Sequence, residues 1–205
     1  MDNASRVIYN ILEWITKFAY LHILWIFFTI AGGVLFGFFP STTAMFAIIR
    51  DWLRGNTDIP LFNTYWKFFK RDFLKSNGLG IFITAIAGII GIDLYYIQNH
   101  INDVLTWTYI PLFAFILVFT IFIFYLFPAF VHYDLPVFKV MKNAFLIMLI
   151  NPLNSFLILL CLGLLFMVMR TLPALAFIFG GSTYAFITMW LCLHAFNKVQ
   201  GKQNK

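Results

Sequence analysis

Five stretches of this chain carry no Asp, Glu, Lys or Arg: 18–49, 76–92, 104–133, 143–169 and 171–197. A helix rises about 1.5 Å per residue, so about 20 apolar residues reach across the roughly 30 Å of hydrocarbon in a bilayer. Lipid offers no hydrogen-bond partner to an open backbone, so only helices or closed barrels cross it. The runs are continuously apolar rather than alternating, which selects helices. Composition agrees. Of 205 residues, 62% are hydrophobic and 11% are charged, against about 25% charged in soluble domains. Mean hydropathy is +0.88. A globule of this size has too little interior to hide so much apolar surface from water. A soluble enzyme and a disordered chain are excluded. So is a disulfide-stapled secreted domain, since the chain has only 2 Cys.

The expected fold is therefore an all-α polytopic membrane protein, one membrane domain over residues 1–205. Trimmed at polar and helix-breaking residues, the runs predict five transmembrane helices at about 18–39, 79–98, 105–127, 153–169 and 172–196. Pro40 and Pro128 are read as ending the first and third. The first run is too long for a signal-peptide core of about 7–15 residues. Three further segments, about 41–54, 61–75 and 137–148, read as basic amphipathic helices. In 61–75, Phe62, Trp66, Phe69 and Phe73 recur at helical spacing, with Lys67, Lys70, Arg71 and Lys75 on or beside the other face. Aromatic residues below and cations above is the pattern of a helix at a membrane surface.

Cytoplasmic loops collect Lys and Arg. The segments 50–78 and 132–142 and the C-terminal tail hold most of the basic residues here. They are assigned to the cytoplasm, and five spans then put the N-terminus outside. That bias accounts for the net charge of +6 without nucleic acid. The expected partners are the bilayer itself, with anionic lipids at the cytoplasmic face, a membrane transporter, or a second copy of the chain.

The run Gly37-Phe38-Phe39-Pro40-Ser41-Thr42-Thr43-Ala44-Met45 precedes Phe62, Trp66-Lys67, Phe69-Lys70 and Phe73. Later come Phe127-Pro128, His132-Tyr133-Asp134 and Lys142-Asn143-Ala144. Over about 18–160 this set resembles the YesL-like family of bacterial integral membrane proteins, a domain of unknown function. His132 stands where that pattern more often has Arg. The resemblance implies a bacterial plasma-membrane protein. Family members tend to sit near carbohydrate ABC-transport functions, which implies an accessory role beside the permease subunits of a sugar importer.

Candidate site residues fall in three groups. Arg50, Arg54, Lys67, Lys70, Arg71 and Lys75 are candidates for contact with a partner or anionic lipid. His22, Asp93 and Arg170 are intramembrane polar candidates, because ionisable groups in lipid are costly. They could pair with one another or line an outer cavity. His132, Asp134, Lys142 and Asn143 form a polar cluster at the cytoplasmic end, where Asp134 is expected to pair with Lys139, Lys142 or Arg50. Gly33-x-x-x-Gly37 reads as a close helix-packing face. Cys161 and Cys192 read as reduced packing residues. No nucleotide, nucleophile or metal motif is read, so no cofactor, no metal and no enzymatic activity are expected. The leading expectation is a non-enzymatic accessory subunit of a carbohydrate ABC-type importer. The alternative is an autonomous small transporter or channel, as a monomer or dimer.

Overall fold

The computed structural model describes residues 3–99 and 106–203. The expected start of the third span at Leu105 and the tail residue Lys205 lie outside the described residues. Among them the chain forms seven helices and no strand: α1 (Asn3–Ala31), α2 (Leu35–Leu53), α3 (Leu61–Asn99), α4 (Thr106–His132), α5 (Val137–Ile150), α6 (Pro152–Thr171) and α7 (Pro173–Gln203). Segments of α1, α3, α4, α6 and α7 are long and apolar enough to cross a membrane. The all-α membrane fold read from the sequence is borne out.

The first apolar run is not one span. α1 ends at Ala31, and a turn over 32–34 reverses the chain. Gly33 has φ +80 and Val34 φ 52, left-handed backbone that glycine adopts freely and Val adopts under strain. The Gly33/Gly37 spacing thus marks a hairpin and not a helix face. Gly32 packs directly on Gly37 across it. Pro40 lies inside α2 and does not end the first span.

α2 is the second departure from the expectation. The segment 41–54 is not a surface amphipathic helix. Every residue from Pro40 to Ile49 is buried, and α2 touches α1, α3, α4 and α7. Two of its buried hydroxyls, those of Thr42 and Thr43, are satisfied locally. Trp25 Nε1 donates to Thr42 Oγ1 (3.1 Å), Thr42 Oγ1 to the Phe38 carbonyl (2.7 Å), and Thr43 Oγ1 to the Pro40 carbonyl (3.0 Å). Such back-bonding lets hydroxyls sit in a helix away from water.

α2 runs antiparallel to α1. The Trp14 and Trp52 rings meet edge-on at 5.6 Å, near one end of the pair. Lys17 and Asp58 are 3.8 Å apart at the same end. Arg54 Nη2 lies 3.4 Å from His132 Nδ1 there, and His132 lies 4.9 Å from the Phe196 ring. α1 therefore enters, and α7 leaves, at one and the same end of the bundle.

Segments 61–75 and 79–98 are one continuous helix, α3. Its aromatic face packs on the protein. Phe28 of α1 is ringed by Phe62, Tyr65, Trp66 and Phe69 at 5.0–5.9 Å. Tyr65 OH donates to the Ser41 carbonyl (2.7 Å), tying α3 to α2, and the Phe39 ring stands against Gly80. α4 continues through Pro128 to His132. Proline inside a membrane helix is tolerated where neighbours absorb the freed backbone group. α5 and α6 are separated only at Asn151, with Pro152 opening α6.

Candidate functional site

The charged residues gather where the ends of α2 and α4 meet α3. Phe46 and Phe127 stack at 5.8 Å with nearly parallel rings. One turn further along each helix, Arg50 and Val131 come level, because four residues make about one helical turn. The Arg50 guanidinium donates Nη1–H to the Val131 carbonyl and Nη2–H to Asp51 Oδ1 (3.0 Å). It thereby caps carbonyls that the end of α4 leaves unpaired, and its charge complements the negative end of that helix.

α3 supplies the facing wall. Arg71 grips Asp72 through Nε (3.1 Å to Oδ1) and Nη2 (2.7 Å to Oδ2). Asp72 is buried and its carboxylate is held by that fork. Lys75 Nζ reaches Asp134 Oδ1 (3.4 Å) and stands 5.8 Å from the centre of the Phe130 ring. Together these residues, with His132 and Tyr133, line a polar cleft of about 410 Å³. Burial pushes the Tyr133 phenol above its ordinary pKa, so it remains a neutral donor.

Six sequence-predicted residues thus converge: Arg50, Arg54, Arg71, Lys75, His132 and Asp134. Asp134 pairs with Lys75, where Lys139, Lys142 or Arg50 was expected. Lys67 and Lys70 lie on the same helix outside the cleft, both exposed. Lys70 Nζ sits 4.2 Å above the Trp66 ring, a cation–π contact. Lys142 and Asn143 belong to α5, and Lys142 borders a separate groove.

The three intramembrane candidates go separate ways. His22 is buried, stacks on Trp25 at 5.5 Å and accepts the Gly181 N–H at Nδ1 (3.2 Å). Asp93 and Arg170 are exposed on α3 and α6. Among the described residues no group of three His, Cys, Asp or Glu side chains converges.

The sequence reading missed one polar cluster. Around the α5–α6 break, Asn154 Nδ2 donates to the Leu191 carbonyl (2.9 Å) and to Tyr125 OH (3.3 Å), and Ser155 Oγ lies 3.2 Å from Tyr125 OH. The signal was present in Asn151-Pro152, a dipeptide that breaks helices.

Replacing Arg50 with Gln strands Asp51 and uncaps α4. We expect a stability loss of about 2 kcal/mol, as for a partly buried charged hydrogen bond. A thermal melt in detergent measures it, and an unchanged melting temperature refutes the clamp.

Membrane-length apolar helices packed around a buried central one, closed at one end by a charged cleft, define a multi-pass integral membrane protein. The chain belongs to the family described as "Protein of unknown function, DUF624", which matches residues 18–94. It is 34% identical over 194 residues to "Uncharacterized protein YesV" of Bacillus subtilis (strain 168), covering 94% of this chain and 93% of that one. Against "Uncharacterized protein YesL" of the same organism it is 32% identical over 193 residues, covering 94% and 90%. The YesL-like resemblance read from the residues is borne out. No solved structure matches the chain.

Proposed function

We propose that the protein is a non-enzymatic accessory subunit of the bacterial plasma membrane, seated beside the permease of a carbohydrate ABC-type importer. In this reading the end with the charged cleft faces the cytoplasm, since basic residues mark that side. The observation that supports docking is a pair of cations without an acidic partner. Lys67 and Lys70 are exposed and make no ion pair among the described residues. The helix that carries them is fixed from beneath by Phe28. A rigid, exposed cationic edge at the bilayer surface suits an acidic partner face, because it loses little entropy on binding. The carbohydrate importer itself rests on the family resemblance.

Arg71 and Lys75 already hold Asp72 and Asp134, so the test leaves them alone. The tagged protein is purified from its native membrane in mild detergent, and co-purifying proteins are identified by mass spectrometry. Importer permease subunits are expected in near-stoichiometric amount. Lys67→Glu with Lys70→Glu should lower their recovery at least fivefold, at unchanged levels of inserted protein. A clean homodimer or monomer from the unaltered chain overturns the accessory reading in favour of autonomous transport.

A further inference from the structure

On the side away from α1, helices α3, α4 and α5 leave a groove of about 360 Å³. Its walls are aromatic: Phe82 from α3, Phe115, Phe119 and Phe122 from α4, and Phe145 from α5. Phe115 stacks on Phe119 at 6.3 Å, and Phe122 meets Phe145 edge-on at 6.1 Å. The rings thus brace one another and hold the groove open.

Among the described residues the one charged group on the groove is Lys142. It is exposed and carries no hydrogen bond or ion pair among the described residues. Its position along the bundle is set by its neighbours. α5 begins at Val137, just after the fully exposed Asp134 at the charged end. Lys142 is five residues on, about 7.5 Å along the helix, and its long stem can carry the ammonium back to the water boundary. Phe115 lies 17 residues before the end of α4, about 25 Å deep on the same scale. The groove therefore runs from the membrane surface into the hydrocarbon, with its only cation at the surface end.

That polarity selects the occupant. A small soluble anion would use Lys142 and leave the rings bare. An uncharged apolar helix would fill the rings and make no use of the ammonium. A membrane lipid with a negatively charged headgroup satisfies both ends at once. We propose that this groove binds one anionic phospholipid, its acyl chain between the Phe82, Phe119 and Phe122 rings and its phosphate against Lys142 Nζ. The site is separate from the charged cleft and from Lys67 and Lys70, so it stands or falls independently of the importer reading.

Native mass spectrometry of the delipidated, detergent-purified protein tests it. Dioleoyl phosphatidylglycerol is titrated against dioleoyl phosphatidylcholine. One phosphatidylglycerol is expected to bind with at least tenfold preference. Lys142→Gln should cut that preference to under twofold and leave phosphatidylcholine binding unchanged. Val118→Trp, which fills the groove wall, should weaken phosphatidylglycerol binding about tenfold. Lys67→Gln should do neither. Three results overturn the proposal. One is a Lys142→Gln protein that keeps the preference. Another is full displacement of the lipid by glycerol 3-phosphate at equal concentration, which would mean the rings take no part. The third is a homodimer that Val118→Trp dissolves, which would make a second copy the occupant.

Discussion

Reporters that read the cytoplasm, fused at residue 1 and at residue 205, should give the same signal. The reason is α2. Trp14 and Lys17 of α1 lie beside Trp52 and Asp58, Arg54 lies beside His132, and His132 lies beside Phe196. α1 begins, and α7 ends, at that shared end. α2 runs antiparallel to α1, and we expect it to be a further traverse that makes the number of crossings even. A second readout removes dependence on fusions. In a chain lacking Cys161 and Cys192, a cysteine placed at Val34 and one placed at Asn56 should label from opposite sides of the membrane. Opposite signals from the two terminal fusions, or same-side labelling of 34 and 56, would remove α2 as a traverse.

Hydropathy does not find α2, and the reason is physical. A helix facing lipid must be apolar on its surface, because hydrocarbon solvates nothing else. A helix facing only protein can carry hydroxyls and charges, provided its neighbours pair them. α3, α6 and α4 have 17%, 22% and 28% of their most apolar windows buried. They are strongly apolar because lipid covers most of the remainder. α2 is buried throughout its middle and contains Ser41, Thr42, Thr43, Arg50 and Asp51. A search for apolar windows thus meets most of α2 inside the run 18–49 and, with Arg50 and Asp51 closing it, does not separate it from α1. The prolines misled for a related reason. Pro40 and Pro128 break isolated helices, but here α2 continues through Pro40 while packed on α1, α3, α4 and α7, and α4 continues through Pro128 to an end that Arg50 caps.

The candidate site was more legible than the topology. Charge counting drew attention to Arg50, Arg71, Lys75, His132 and Asp134, which line one cleft, and to Arg54, which reaches its His132. The pairings were not legible. Asp134 pairs with a residue 59 positions away in α3, and nothing in local spacing distinguishes Lys75 from Lys139 or Lys142. Lys142 in turn looks like one more basic residue at the cytoplasmic end. Its place on an aromatic groove depends on how α3 and α4 pack against α5, which periodicity within α5 alone does not encode.

Gly37→Ala should be among the most damaging single-methyl additions in this protein. A Cβ there would run into the Thr29 and Phe28 carbonyl oxygens and the Gly32 Cα. All three are backbone atoms, so no side chain can swing aside. The α1–α2 hairpin would have to open, and α2 would shift against α1, α3, α4 and α7 together. Overpacking of this kind costs about 3 kcal/mol. Gly88→Ala supplies the contrast. It adds the same methyl to a helix interior but meets nothing within 4 Å. It should therefore be neutral or gain about 0.5 kcal/mol from the better helix former. The two variants add the same methyl, and Gly37 lies in the first turn of α2, where helix propensity weighs least, so a large loss at Gly37 alone reports the hairpin contact. Unfolding by sodium dodecyl sulfate, followed by circular dichroism, measures both. Equal midpoints for Gly37→Ala and Gly88→Ala would mean that α1 and α2 do not approach at Gly32 and Gly37, and the buried position of α2 would lose its foundation.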